Sequence, residues 1–214
     1  MNSSFFLELG RGGREAVVSR SERSAGLLRF VGVMALLAGA VGCGGSGEFT
    51  PGANNDPDCP ATEMDFAGDT TIPEDASCSY ANLVTDGNIT LAPGADLVLE
   101  GSEVGGNLQG AEGSAIVLRD TIISGNAQVE AVPSVELVNS TIGGNLQIAK
   151  VTGDVSITGT DVLGDVQIKE CSGDSIVIEA TSVTGNLNCT ENTSTIELEA
   201  VTVEGEATGQ CSEL

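Results

Sequence analysis

The chain of 214 residues carries 31 acidic and 8 basic residues and no histidine or tryptophan, which gives a formal net charge of −23. A surface this acidic repels phosphate backbones, so we expect no nucleic-acid partner. Aromatic residues make up only 3% of the chain, whereas 29 residues are glycine. A core must therefore be built from aliphatic side chains, between many tight turns.

Residues 1–42 are typical of an export signal. The stretch "RFVGVMALLAGAVGC" places Arg29 before the apolar run Phe30 to Val41, and small residues precede Cys43. This run is shorter than the about 20 residues that a transmembrane helix needs. The ending "AVGC" resembles the bacterial lipobox, in which the cysteine is acylated and becomes the mature N-terminus. A plain signal peptide that leaves Cys43 as a free thiol is the alternative.

The lipobox resemblance implies a lipid anchor on Cys43. Each buried methylene of the acyl chains contributes about 0.8 kcal/mol to membrane binding. Cys43 is followed by Gly44, and not by the aspartate that retains bacterial lipoproteins in the inner membrane, so the resemblance implies sorting to the outer membrane. Residues 43–58 are rich in Gly, Pro, Asn and Asp, and this composition predicts a flexible tether.

Beyond the tether, one short motif recurs along the chain. Related stretches run from "DGNITL" to "EGEATG", and their shared glycines are Gly87, Gly106, Gly125, Gly144, Gly164, Gly185 and Gly205. The glycines are spaced 19 to 21 residues apart. A period near 20 residues that is sustained over seven copies predicts a solenoid.

Within each repeat the apolar residues alternate, which is the period of a strand. One segment runs through the glycine motif, a second contains pairs such as Val155 and Ile157, and a third places an aliphatic residue two positions before each glycine. Three short segments per repeat predict an all-β, single-stranded parallel β-helix over residues 83–214, with six to seven rungs of 19 to 21 residues. Six rungs at about 4.8 Å give a rod about 30 Å long.

Equivalent positions of a solenoid stack, so polar residues form three columns. The first column is Asn88, Asn107, Asn126, Asn145, Asp165 and Asn186; the second is Gln109, Gln128, Gln147, Gln167 and Asn188; the third is Ser102, Thr121, Ser140, Thr160 and Thr181. Stacked amides can hydrogen-bond along the axis. We interpret the columns as ladders that hold the coil, with a binding face as the alternative.

The cysteines after the tether suit an oxidising compartment. From their positions we predict the disulfides Cys59–Cys78 and Cys189–Cys211, with Cys171 left as a free thiol. The first disulfide belongs to a predicted N-terminal cap, residues 59–82, in which Met64, Phe66 and Tyr80 cover the first rung.

The unit "V-x-G-N-[LV]-x-[VI]" with an intervening "V-x-[IL]-x-x-[ST]-x" resembles a large group of uncharacterised secreted bacterial repeat proteins. The resemblance covers roughly residues 78–214. It implies a right-handed parallel β-helix and brings no activity or catalytic residue. A weaker likeness is to bactofilins, which are polymer-forming β-helices, although an exported acidic chain with cysteines departs from their cytoskeletal setting.

Many carbohydrate lyases and hydrolases use parallel β-helices, so an enzyme is an alternative. However, turns of nearly constant length leave no room for inserted site loops, and the repeat has no aromatic residue to stack on a sugar ring. We expect the basic residues to form ion pairs between rungs, Arg119 with Glu100 and Lys150 with Glu170. The basic residues therefore have a structural explanation and do not indicate an active site.

A metal site is a weak candidate at Glu179 and Glu199, which occupy the same position on adjacent rungs about 5 Å apart. Ca²⁺ takes six or more oxygen ligands, so we favour solvated acids and expect no metal or cofactor. We predict a non-catalytic, lipid-anchored envelope or surface protein with a structural or binding role. Its expected partners are the membrane and an unidentified envelope glycan or protein. The alternatives are a polysaccharide-active enzyme and a polymer-forming scaffold.

Overall fold

The computed structural model describes residues 58–60, 68–110 and 112–213. All regular secondary structure in these residues is β-strand, and 22 strands form three parallel sheets. The predicted export signal, Cys43 and nearly all of the predicted tether lie outside the described residues.

Each turn of the chain contributes one strand to each sheet. The first sheet contains β1 (Thr70–Ile72), β4 (Ile89–Leu91), β7 (Leu108–Gly110), β10 (Ala127–Glu130), β13 (Leu146–Ala149), β16 (Val166–Lys169), β19 (Leu187–Thr190) and β22 (Ala207–Gly209). The second sheet contains β2 (Ser77–Ala81), β5 (Asp96–Glu100), β8 (Ala115–Arg119), β11 (Ser134–Val138), β14 (Val155–Thr158), β17 (Ser175–Glu179) and β20 (Thr195–Glu199). The third sheet contains β3 (Val84–Thr85), β6 (Glu103–Val104), β9 (Ile122–Ile123), β12 (Thr141–Ile142), β15 (Asp161–Val162), β18 (Ser182–Val183) and β21 (Thr202–Val203).

Neighbouring strands pair in the register that the repeat predicts. Val135 lies opposite Val155, and Ile157 lies opposite Ile178 one turn further on. The predicted parallel β-helix is confirmed, with about seven turns. Because the repeats stack in register, equivalent residues form straight columns on each face, with about 4.8 Å between neighbours.

The core is a column of aliphatic side chains that meet from the three sheets. Leu118, Leu137 and Ile157 lie one above another on the second sheet, and each is only 1% exposed. Their neighbours along each strand point outward, as strand alternation requires. Full burial of such a side chain stabilises the fold by about 1.5–3 kcal/mol, and each rung obtains this burial only by stacking on the next.

The solenoid begins earlier than the predicted boundary at residue 83. Strands β1 and β2 pair in register with β4 and β5, so they form a full first turn and not a separate cap. Gly68 and Asp69 occupy the Gly–Asn positions of this turn, 19 residues before Gly87. The aspartate in place of asparagine concealed this copy of the motif.

Residues that precede the first turn contact its buried side chains at the N-terminal end of the core. Cys59 is bonded to Cys78, and the hydroxyl of the buried Tyr80 donates a hydrogen bond to the carbonyl of Pro60 at 3.0 Å. Met64 and Phe66 lie outside the described residues.

The serine and threonine column stabilises the corner after each second-sheet strand. One residue there adopts a left-handed conformation, such as Asp120 with φ 49°. The buried hydroxyl of Thr121 donates to the carbonyl of Arg119 at 2.9 Å and so spans this corner. Its backbone N–H donates to the hydroxyl of Ser140 at 3.2 Å on the next turn. The structural interpretation of this column is therefore confirmed.

The two expected ion pairs form with other partners. Arg119 lies in register with Glu100, but its guanidinium donates to Glu136 at 2.8 Å. Lys150 pairs with Glu130 at 2.7 Å and not with Glu170. Both long side chains reach a diagonal neighbour on the adjacent turn, which lies within their range.

Candidate functional site: the amide face

The outer face of the first sheet carries a row of uncharged polar side chains that runs along the solenoid. The row takes one outward residue from each strand, in register, and consists of Thr71, Thr90, Gln109, Gln128, Gln147, Gln167, Asn188 and Thr208. Two positions further along the longer strands, Glu130, Lys169 and Thr190 also face outward. We call its central members, Gln109, Gln128, Gln147, Gln167 and Asn188, the glutamine row. The asparagine column runs beside it, and the two together form the amide face.

The asparagine column is a continuous hydrogen-bonded ladder. The side-chain oxygen of Asn107 accepts from the backbone N–H of Asn126 at 2.8 Å and from its side-chain N–H at 3.1 Å. The backbone contact recurs on every turn from Asp69 to Glu206 at 2.7–2.9 Å. Each backbone N–H at this corner is therefore satisfied by the turn before it.

The ladder also explains the glycine that precedes each asparagine. A Cβ added at Gly125 would lie 2.5 Å from the side-chain oxygen of Asn107 and 2.7 Å from the carbonyl oxygen of Gly106. Any larger residue would displace the ladder or the backbone. The repeated Gly–Asn pair is thus one structural unit.

The glutamine row does not form the ladder that we expected. Within the described residues, the side chains of Gln109, Gln128, Gln147 and Gln167 make no hydrogen bond to another protein group. At the end of the row, the side-chain N–H of Asn188 donates to the Thr208 hydroxyl at 2.9 Å. The row lies within the strands, where neighbouring backbone groups already pair across the sheet, whereas the asparagine column lies at the corner before each strand. In the part of the chain described, Asn188, which has the shorter side chain, likewise makes no bond to the backbone in this row.

Shallow depressions flank the glutamine row. One of about 380 Å³ extends from Asp69 to Gln128, and one of about 220 Å³ lies between Asn145 and Asn188. A smaller depression of about 50 Å³ lies on the other side of the row beside Lys169. The amide face is therefore grooved along most of the solenoid.

The charge at this face is nearly balanced. Lys150 hydrogen-bonds to Glu130 at the edge of the row, and this contact lowers the pKa of the Glu130 carboxyl and raises the pKa of Lys150. Lys169 lies on the same side. Residues 43–214 contain three basic and 28 acidic residues, a net charge of −25, and two of the three basic residues lie beside this face. The outward rows of the second sheet, by contrast, carry carboxylates such as Glu136 and Glu179.

The weak metal candidates lie next to each other on the second sheet. Glu179 and Glu199 are in register on adjacent strands, and both are exposed. In the described part of the chain, no group of three or more His, Cys, Asp or Glu side chains is arranged to hold a metal ion.

Both predicted disulfides are present, one at each end of the solenoid. The Cα atoms are 5.6 Å apart in Cys59–Cys78 and 5.3 Å apart in Cys189–Cys211. Cys171 is free and buried, and burial raises the pKa of its thiol. A buried thiol of raised pKa is a poor nucleophile, so Cys171 is not a candidate for a reactive cysteine. The two disulfides are typical of proteins in oxidising compartments.

The fold and this face define a parallel β-solenoid with one side lined mainly by amides. Among residues 58–60, 68–110 and 112–213 there is no helix that is long and apolar enough to cross a membrane. Comparisons of the chain with protein-family models, with curated proteins and with solved structures find no match.

Proposed function

We propose that the protein is an exported, lipid-anchored and non-catalytic β-solenoid that presents the amide face as a binding surface at a bacterial cell envelope. The observation that carries this proposal is the glutamine row. The same side chain recurs on four consecutive turns, yet the described structure does not use its amides. Free donors and acceptors in a straight exposed line are suited to binding.

Two observations support export and anchoring. The disulfides Cys59–Cys78 and Cys189–Cys211 require an oxidising environment in order to persist. The apolar run Phe30 to Val41 before Cys43 resembles a lipoprotein signal. Together they favour an acylated protein on the outer membrane.

The regularity of the turns supports a non-catalytic role. Successive repeats differ in length by at most two residues, so the corners are tight and no long loop frames a cleft between residues 68 and 213. On the second sheet, Glu136 is paired with Arg119, and Glu179 and Glu199 are exposed to solvent.

A polymer-forming scaffold is the second candidate, because the C-terminal turn leaves strand edges open. Within the described residues, β20 and β21 pair only on one side. Ile196, Leu198 and Val203 are only half-buried there. Open edges over an apolar layer favour end-to-end addition, whereas Glu197 and Glu199 on the same edge oppose it.

The anchoring is tested by fatty-acid labelling of the full chain in a bacterial host. We expect the wild type to incorporate labelled fatty acid and to enter the detergent phase. The Cys43→Ala variant should incorporate none and keep its signal, whereas Ser46→Ala, a nearby control, should behave as wild type. Equal labelling of Cys43→Ala and wild type would contradict the lipid anchor.

A further inference from the structure

We infer that the glutamine row is a binding site for an uncharged, hydroxyl-rich polysaccharide that lies along the solenoid axis. This inference rests on the proposed binding role of the amide face and is independent of the lipid anchor.

The hydrogen-bonding groups of the row match those of a sugar. A primary amide offers two donors and an acceptor with two lone pairs, and a sugar hydroxyl also donates and accepts. Gln109, Gln128 and Gln147 are exposed, and their amides have no protein partner in the described structure. Their hydrogen-bonding capacity is thus available to a ligand without loss of an internal bond.

The spacing of the row fits a polymer. In-register glutamines recur at the strand spacing of about 4.8 Å, which is similar to the length of one sugar residue in an extended chain. The depressions on either side of the row give room for substituents of the rings. No aromatic side chain lines these depressions, so each turn binds weakly and affinity accumulates with the number of turns engaged.

The charge distribution selects an uncharged ligand. The net charge of −25 on residues 43–214 repels polyanions. A polycation would be drawn to the carboxylates of the second sheet, such as Glu136 and Glu179. The glutamine row itself is uncharged, and the charged side chains that flank it, such as Asp165, Glu130 and Lys169, are of both signs. The face therefore favours a neutral chain over a polyion of either sign.

A second copy of the protein fits the face less well. Eight strands of about three residues make a surface of about 34 Å by 10 Å. Two copies face to face would bury less than about 800 Å², whereas specific interfaces bury about 1,200 Å² or more. Binding to a polymer does not need so large an interface, because the weak contacts made by successive turns add up along the same polymer chain.

Affinity electrophoresis of the full chain, in native gels that contain a non-ionic detergent, tests the inference. The gels contain hydroxyethyl cellulose, dextran or a soluble β-linked glucan, and a further gel contains polygalacturonate as the polyanion. We expect at least one neutral polymer to retard the wild type, and polygalacturonate to have no effect. The double variant Gln128→Ala, Gln147→Ala should lose at least tenfold in apparent affinity.

A matched control is the double variant Ser156→Ala, Thr158→Ala, which alters outward positions on β14 of the second sheet. It should be retarded as the wild type is. A melting temperature within about two degrees of wild type for each variant excludes unfolding as the cause of lost binding. A hexasaccharide of the retarding polymer should compete at least tenfold less well than the polymer, per sugar residue.

Two results would overturn the inference. One is the absence of retardation by all three neutral polymers, and the other is equal retardation of the glutamine variant and the wild type. A concentration-dependent dimer of the wild type that the glutamine variant loses, without retardation by any polymer, would identify a second copy as the occupant. Fatty-acid labelling of Cys43 is a separate readout, so failure here is distinguishable from failure of the anchor.

Discussion

The side-chain oxygen of Asn107 accepts a hydrogen bond from the backbone N–H of Asn126, one turn further along the solenoid, at 2.8 Å. Two residues later on the same pair of turns, Gln109 and Gln128 are in register, and in the described structure their amides do not bond to each other or to the backbone. Two adjacent columns of amides therefore have different roles, one in the fold and one on its surface.

Substitution of neighbouring amides should separate these roles. Asn126 accepts from the backbone of Asn145 and donates to Asn107. Asn126→Ala should therefore lower the free energy of unfolding by about 1–3 kcal/mol, since each hydrogen bond contributes about 0.5–1.5 kcal/mol. Gln128→Ala should change it by less than about 0.5 kcal/mol. Urea denaturation measures both, and equal losses would contradict the assignment.

The sequence predicts the fold well because a solenoid repeats one environment. Every copy of the motif has its strand, corner and column residues at the same positions. Seven copies therefore determine the period and the register, which pairs Ile157 with Ile178. The first turn was missed because Asp69 replaces the asparagine of the motif. The structure assigns it to the ladder, since Asp69 accepts from the backbone N–H of Asn88 at 2.9 Å.

Side-chain contacts were less predictable than the register. Asparagine and glutamine columns look alike in a sequence, and their positions, at the corner or within the paired strand, decide which of them bonds to the backbone. Similarly, the register of Arg119 with Glu100 is correct, but rotamer freedom lets the guanidinium reach Glu136. The sequence thus shows the candidate site as a column of residues, but only the structure shows that the glutamine amides of this column are not hydrogen-bonded to any described protein group.

Asp69 should make stability depend on pH. The hydrogen bonds from Asn88 lower the pKa of the Asp69 carboxyl in the folded state. A group whose folded pKa is lowered stabilises the fold above its unfolded pKa, and this contribution is lost as the pH falls through the folded pKa. Asp69→Asn retains an acceptor for the ladder without this titration.

Chemical denaturation at pH 7 and at pH 3 checks the effect of Asp69. We expect the loss of unfolding free energy between the two pH values to be smaller in Asp69→Asn than in the wild type. Asp86→Asn, at an exposed corner position of the next turn, is the control and should follow the wild type. A pH dependence of Asp69→Asn that equals that of wild type would reject the role of this carboxylate.

A charge at Ile157 should disrupt several rungs. Its side chain is 1% exposed in a middle turn, and Ile157→Asp buries a carboxylate without a partner, which is among the most destabilising substitutions. We expect a loss of more than about 4 kcal/mol, or failure to fold, measured by urea denaturation and circular dichroism. Ser156→Asp, on the outer side of the same strand, should cost less than about 1 kcal/mol. Similar losses for the two variants would mean that the inward side of β14 is wrongly assigned.

The disulfide Cys189–Cys211 should close part of the C-terminal end of the solenoid. Beyond β22 the backbone N–H of Gln210 donates to the carbonyl of Cys189 at 2.7 Å. The Gln210 side chain both accepts from the backbone N–H of Asn192 and donates to its carbonyl, each at 2.8 Å. These contacts hold residues 210–211 against the turn that contains β19, and Cys211 is buried at this end of the core.

The double variant Cys189→Ser, Cys211→Ser should therefore be less stable by about 3 kcal/mol, as expected for a loop of this length. It should also form larger oligomers or filaments, because release of residues 210–211 uncovers the end of the core beside the open edges of the last turn. The control is Cys59→Ser, Cys78→Ser, which removes a disulfide of similar sequence separation from the other end and should leave the C-terminal turn closed. Size-exclusion chromatography and electron microscopy provide the readout. A Cys189→Ser, Cys211→Ser variant that stays monomeric, or mass spectrometry that joins Cys189 to Cys171 in the wild type, would show that this disulfide does not block the end of the solenoid.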